Sequence, residues 1–317
     1  MIVRIASILL YLLCSYVQAN TDEHFLAAKH QLESLQRAHE DQLLFSSRNM
    51  QLKLYNGHRP CVAVVIHGLY QSPKDMQGLI NYFFNEGCHV VAPLLAGHWR
   101  RDQEAFYKIS SVTWRTEINE ILNLSQHLGN EIILVGHSTG GLLALDQIIN
   151  KKQLKFSHAI LFAPAIKLQQ SVILSSKFGA FFGLVQNSLT PKTNSEYDKQ
   201  ARPAVAGVLV QNLIESVFGT SDDTRNAAYA KIKTPVFFIS TENDQTVRHD
   251  EIMKLASSNP RLFKILSYSK DKALFHDNIQ RSVIDVEPNS PIEWTNPYFS
   301  DLLLQISGFV LSKNFSP

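Results

Sequence analysis

The sequence predicts an α/β fold, a mostly parallel central sheet flanked by helices and broken once by a helical insertion. Three observations predict it. Apolar runs such as Val62–Ile66 and Ile132–Val135 are continuous and β-branched, as strands buried on both faces should be. Amphipathic stretches of helical length separate these runs, and such alternation builds βαβ units. The alternation then stops across residues 165–228 and resumes, which marks an insertion over the sheet.

The elements follow in order. Phe25, Ala28, Leu32 and Leu35 recur at steps of three and four, predicting a helix from Asp22 to about Leu44. Gln51–Tyr55 reads as a strand before the turn Asn56-Gly57. Cys61 opens the first buried strand, and Lys74–Glu86 reads as a helix closed by Gly87. His89–Ala92 is the next strand; Ser111–Leu128 is a helix through Val112, Ile118, Ile121, Leu122 and Leu124. Ile132–Val135 is a strand, Gly140–Asn150 a helix and Ala159–Phe162 a strand ending at Pro164. After the insertion come strands at Thr234–Ile239 and Arg261–Leu266. No internal repeat or low-complexity tract interrupts this order.

Composition agrees with one large core. Of 317 residues, 45% are hydrophobic and 18% charged, which excludes a disordered chain. A net charge of +2 gives no field for nucleic acid, so no nucleic-acid partner is expected. The first nineteen residues combine Arg4, the apolar run Ile5–Leu13 and small residues at Val17 and Ala19, the form of a secretory signal peptide cleaved after Ala19. The run is about half of the ~20 residues that span a bilayer. Leu13 stands where a lipoprotein signal wants a small residue before Cys14. The mature protein is therefore expected outside the cytosol, periplasmic or secreted. It keeps two cysteines, Cys61 and Cys88, which open two strands. If those strands are parallel neighbours, the sulfurs share one sheet edge, and two readings stand: a disulfide, or two buried thiols.

The segment Gly136-His137-Ser138-Thr139-Gly140 matches G-x-S-x-G. A chain of this length contains that pattern by accident about one time in ten, so its setting decides. It follows an apolar strand and opens a helix, a turn whose crowding glycine relieves and which lifts the Ser oxygen above the sheet. The Thr139 N–H then lies at a helix N-terminus, where developing negative charge is stabilised.

With the elbow stand Val64-Val65-Ile66-His67-Gly68-Leu69 and Ala92-Pro93-Leu94-Leu95-Ala96-Gly97-His98. On these residues the chain resembles the α/β-hydrolase fold, and within it the monoacylglycerol lipase, lysophospholipase and serine-aminopeptidase-like branch, over about residues 50–313. The resemblance implies that Leu69, after His-Gly, supplies a second oxyanion N–H beside Thr139, and that His67 is structural. It also shows a departure: Trp99 stands where the family's Gly-His-Gly turn has its last glycine.

A Ser hydroxyl needs a base to take its proton and a carboxylate to orient that base. In this fold the chain order is Ser, acid, His. Asp244 lies in the polar loop after Val236–Ile239 and matches the family's acid, with Glu242 as its rival on the same loop. His276 follows Leu262–Tyr268 and precedes the last helix, as the family's base does. His249 follows Asp244 too closely and is expected at the surface. His39-Glu40 begins a zinc motif, but Leu43 ends it. Asn123 and Asn314 begin N-x-S sequons that matter only where the source glycosylates.

The predicted domains are a leader at 1–19, a helical extension at 20–48, a core from 49–164 and 229–317, and a cap at 165–228. The predicted function is carboxylic-ester hydrolysis, of lipid type, by Ser138, His276 and Asp244, with no cofactor or metal. Most of Val172, Ile173, Leu174, Phe178, Phe181, Phe182, Leu184 and Val185 are expected to pack the cap, the rest to line an acyl pocket and touch a membrane surface transiently. The alternatives are an aminopeptidase or amidase, for which Glu196, Asp198 and Glu215 are the available acids, and an inactive binding protein.

Overall fold

The computed structural model describes residues 22–38, 40–151, 153–181, 183, 196–285 and 294–311. The predicted leader, His39, Phe182, Leu184, Val185 and Asn314 lie outside the described residues, as does the Asp198 side chain.

Seven strands form one sheet: β1 (Gln51–Lys53), β2 (Arg59–Ile66), β3 (His89–Ala92), β4 (Gly129–His137), β5 (Phe156–Phe162), β6 (Val236–Thr241) and β7 (Phe263–Tyr268). Their order is β1-β3-β2-β4-β5-β6-β7. Only β1 runs antiparallel, against β3; the remaining pairs are parallel. The helices are α1 (22–37), then α2 (Gln77–Asn85), α3 (Ser111–Ser125), α4 (Thr139–Asn150), α5 (Gln170–Phe181), α6 (Val205–Phe218), α7 (Asp222–Tyr229), α8 (His249–Ser258) and α9 (Phe299–Leu311).

Strand periodicity splits the core in two. Val62, Val64 and Ile66 of β2, with Ile132 and Leu134 of β4, face a layer containing α1, α3, α4, α6 and α8. Ala63, Val65, Ile133 and Val135 face α2 and α9 through Leu79, Phe83, Leu302 and Phe309. The helix after β2 thus packs on one face and the helix after β4 on the other. Where adjacent strands send their connections to opposite faces, a crevice opens at their C-terminal ends. In this chain the loops after β2 and β4 meet at that end, where Leu69 and Ser138 line a pocket.

Two predicted helices differ. α1 stops at residue 37 instead of reaching Leu44. The chain turns through Glu40–Gln42 so that Leu43 can bridge Arg100 and the Leu44 N–H can donate to the Trp99 carbonyl at 2.8 Å. The expected helix from Lys74 opens as a 3-10 turn, Pro73–Met76, before α2. Asp75 explains the break, because its carboxylate turns back to accept from the Ser72 N–H at 2.8 Å.

Among the described residues the segment 165–228 contains α5, α6 and α7 and no named strand. α5 and α6 cross closely at Gly207, where a Cβ would come within 2.2 Å of Ser176 Oγ. Cys61 and Cys88 are joined in a disulfide. It sits at the start of β2 and β3, the sheet end away from the crevice, because Val62 registers with His89.

Candidate active site

The elbow is built by close approach. A Cβ on Gly136 would meet the Gly140 carbonyl oxygen at 2.6 Å, and one on Gly140 would meet the Ile66 carbonyl oxygen at 2.1 Å. Only glycine permits α4 to start this close to β2. Between them Ser138 takes φ 52°, left-handed for a residue with a side chain. Backbone bonds hold it there: its N–H donates to Phe162 at 2.9 Å, and its carbonyl accepts from Leu142 and Ala165, each at 3.0 Å.

Ser138 Oγ lies 2.9 Å from His276 Nε2. His276 Nδ1 lies 2.7 Å from Asp244 Oδ2. The other Asp244 oxygen accepts from the Thr246 N–H at 2.8 Å and the Val247 N–H at 2.7 Å, so the carboxylate cannot swing away. With Nδ1–H donated to Asp244, Nε2 carries the lone pair that a Ser proton needs. All three side chains are buried: Ser138 6%, Asp244 5% and His276 7% exposed. Burial pushes the His276 pKa down, but the Asp244 charge and hydrogen bond, with Asp277 adding, outweigh it and leave the pKa raised above its usual 6.5. Glu242, the sequence-level rival, is exposed on the same loop.

Leu69 and Thr139 both line the pocket into which Ser138 opens, a cavity of about 290 Å³. Val172, Ser175, Ser176, Ala204 and Val210 of the 165–228 segment line it as well. Thr139 is the first residue of α4, so its N–H has no carbonyl one turn earlier. The Leu69 N–H makes no backbone hydrogen bond among the described residues.

His67 is fully buried beneath this loop. Its Nδ1–H donates to the Gly68 carbonyl at 2.8 Å, and Nε2 accepts from the Leu95 N–H at 3.1 Å. Burial lowers its pKa to about 4, so it stays neutral. His249 lies away from Ser138, partly exposed at the start of α8, between Ser240 Oγ at 2.8 Å and Ser267 Oγ at 3.3 Å. The strand ends that carry these two serines converge on it.

Sequence reasoning passed over Gln71 and His137. His137 lies between Gln71 Oε1 at 2.8 Å and the His276 carbonyl at 2.9 Å, touching the loop after β2 and the loop that carries His276 at once. Burial and the nearby His276 push its pKa well below the usual 6.5. The pentad placed His137 in view, but no spacing rule points from it to residue 71. An ion cluster was missed as well: buried Asp75 pairs with Arg48 at 3.1 Å and with Arg281 at 3.3 Å, and Arg48 also pairs with the half-buried Glu196 at 2.8 Å.

A family model described as serine aminopeptidase, S33, matches residues 57–277. A curated relative, phospholipase YtpA of Bacillus subtilis, is 26% identical over 119 residues, which is 37% of this chain and 46% of that protein. This chain thus matches about half the length of that relative. Among solved structures, one chain described with the metagenome-derived lipolytic enzymes LipS and LipT gives a TM-score of 0.62 at 15% identity, covering 85% of this chain and 99% of that one. A monoacylglycerol lipase of Paleococcus ferrophilus gives 0.56 at 17% identity over 82% and 98%. A monoglyceride lipase of Saccharomyces cerevisiae gives 0.56 at 13% identity over 83% and 92%. At these identities the structures establish a shared fold.

Proposed function

The chain belongs to the serine aminopeptidase S33 family of α/β-hydrolases, and from that premise we propose that it is a serine hydrolase of lipid-type carboxylic esters acting through Ser138, His276 and Asp244. The observation that carries the proposal is the unbroken relay from Asp244 through His276 to Ser138, at 2.7 and 2.9 Å.

In the proposed first step His276 Nε2 takes the Ser138 proton as Oγ attacks the ester carbonyl. The carbonyl oxygen becomes an oxyanion, received by the N–H groups of Leu69 and Thr139. Collapse breaks the ester C–O bond, and His276 gives its proton to the departing alcohol. Water then attacks the acyl group with His276 again as base, releasing the acid and restoring Ser138.

The apolar side chains of Leu69, Leu168, Val172 and Val210 along the pocket support an acyl chain as the bound group. Leu174, Phe178 and Phe181 are exposed on α5, which supports contact of the cap with a lipid surface. An amine-binding site for an aminopeptidase finds less support. Glu196 is held by Arg48 and Lys74, Glu215 accepts from Gln211, and neither lines the pocket. Export rests on the leader and agrees with a disulfide, which persists in oxidising compartments.

Hydrolysis of p-nitrophenyl esters of rising chain length, beside monoacylglycerol, lysophospholipid and an aminoacyl amide, tests the reading. Ser138→Ala should lower kcat by several orders of magnitude and abolish labelling by a fluorophosphonate. Undiminished ester hydrolysis by the purified variant would refute it.

A further inference from the structure

The turn carrying Leu69 is closed on itself twice. The Gln71 N–H donates to the Gly68 carbonyl at 3.2 Å, and the Gly68 N–H donates to Gln71 Oε1 at 3.0 Å. That second bond sets the orientation of the Gln71 amide, because a flipped group would present NH2 to the Gly68 N–H. The same oxygen lies 2.8 Å from Nδ1 of His137, the residue before Ser138. Gly68 leaves no slack, since a Cβ there would meet His137 Nδ1 at 2.7 Å and Ser138 Cβ at 3.2 Å. With the single N–H of neutral His137 placed on Nδ1, this one side-chain oxygen accepts from both Gly68 and His137 and ties the oxyanion turn to the elbow.

Gln71 is itself held. It is 4% exposed, and its backbone carbonyl accepts from the Trp99 indole N–H at 3.1 Å. Trp99 stands at the family's glycine position and keeps the backbone a glycine would favour, φ 54°. A bulky residue persists in that region only when its surroundings over-determine it. They do: the ring is fully buried, the Arg48 guanidinium lies 4.1 Å over it, and Phe45 meets it edge-on at 6.3 Å. Arg48 is fixed in turn by Asp75 and by Glu196 of the cap. The side chain's single polar atom points at Gln71.

We propose that Trp99 is a positioning residue, its indole N–H acting through Gln71 to hold the Leu69 turn in register with Ser138. This inference rests on the function proposed above. The N-terminal segment carrying Phe45 and Arg48 braces the indole, and so takes part in shaping the oxyanion hole from outside the pocket. Such a residue serves the transition state more than the bound ester, since the oxyanion exists only after attack.

The test compares Trp99→Phe, which keeps a ring under Arg48 but loses the N–H, with Gln71→Met, which loses the side-chain oxygen. Each is measured for kcat and KM on a p-nitrophenyl ester and for inhibition by an alkyl trifluoromethyl ketone, whose hemiketal oxygen would occupy the hole. Both variants should lose about tenfold in kcat with KM within twofold, and ketone inhibition should weaken by the same factor. Fluorophosphonate labelling of Ser138 should persist. A correctly folded variant of either kind with kcat unchanged, or with the loss confined to KM, overturns the inference while the ester-hydrolase reading stands. A wild-type protein that neither labels nor hydrolyses the ester panel overturns both.

Discussion

His276 is the residue on which pH should act first. In the proposed mechanism it must be neutral to accept the Ser138 proton, and its pKa is raised above 6.5 by Asp244 and Asp277 against the opposing effect of burial. kcat/KM should therefore fall on acidification through a value above 6.5, and a pH profile of ester hydrolysis checks this. Asp277→Asn removes one of the two supporting charges, so the acid limb should move to lower pH. A limb below 6.5 in the wild type, or one unmoved in the variant, would count against the assignment. Asp244 and Glu242 share a loop and a charge, yet only Asp244 presents one oxygen to His276 and the other to two backbone N–H groups. That choice depends on where the loop turns after β6, and local sequence shows only that both acids are near.

At the scale of elements, the β4–α4 elbow and the pairing of β2 with its neighbours set the tolerances. Gly140→Ala would drive a Cβ to 2.1 Å from the Ile66 carbonyl oxygen, a contact with backbone that no rotamer relieves. Overpacking of this kind costs about 1–3 kcal/mol or more, so the variant should lose thermal stability as well as activity, measured by melting and esterase assay together. The Cys61–Cys88 disulfide spans 27 residues and lies at the far end of β2 and β3 from Ser138. The double Cys→Ser variant should lose about 3 kcal/mol by denaturant titration while the folded fraction keeps its kcat. Most strands were legible because each is a local pattern: Cys61–Ile66 of β2 and Ile132–Val135 of β4 are apolar without interruption, and α3 likewise repeats its apolar face. The shortened α1 and the 3-10 opening before α2 were not, because their ends are set by Trp99 and Asp75, partners that no periodicity reveals.

Across the whole molecule, buried titratable groups link stability to pH. His67 and His89 are pushed down to about 4, and His98 and His137 well below 6.5, in each case chiefly by burial. Each is neutral in the fold but binds a proton when unfolded below 6.5, so its contribution is present above 6.5 and is lost as pH falls toward 4. Glu117 and Asp285, raised to about 7 by burial, act the opposite way: they remain protonated in the fold where the unfolded chain would release the proton. The histidines outnumber them, so the melting temperature should fall between pH 6.5 and pH 4; a flat or rising profile would contradict this balance. The sequence by itself determined the strand–helix alternation and the pentad at Ser138, and it named Asp244 and His276 as the expected partners, since each is written in a short run or in chain order. Tertiary structure alone decided the rest: the Asp244 oxygens shared between His276 and two backbone N–H groups, the bonded cysteines, the contacts of His249 with Ser240 and Ser267, and the brace from Arg48 through Trp99 and Gln71 to Gly68. Those outcomes depend on groups brought together from separate loops, and contact between distant loops leaves no period or spacing in the chain.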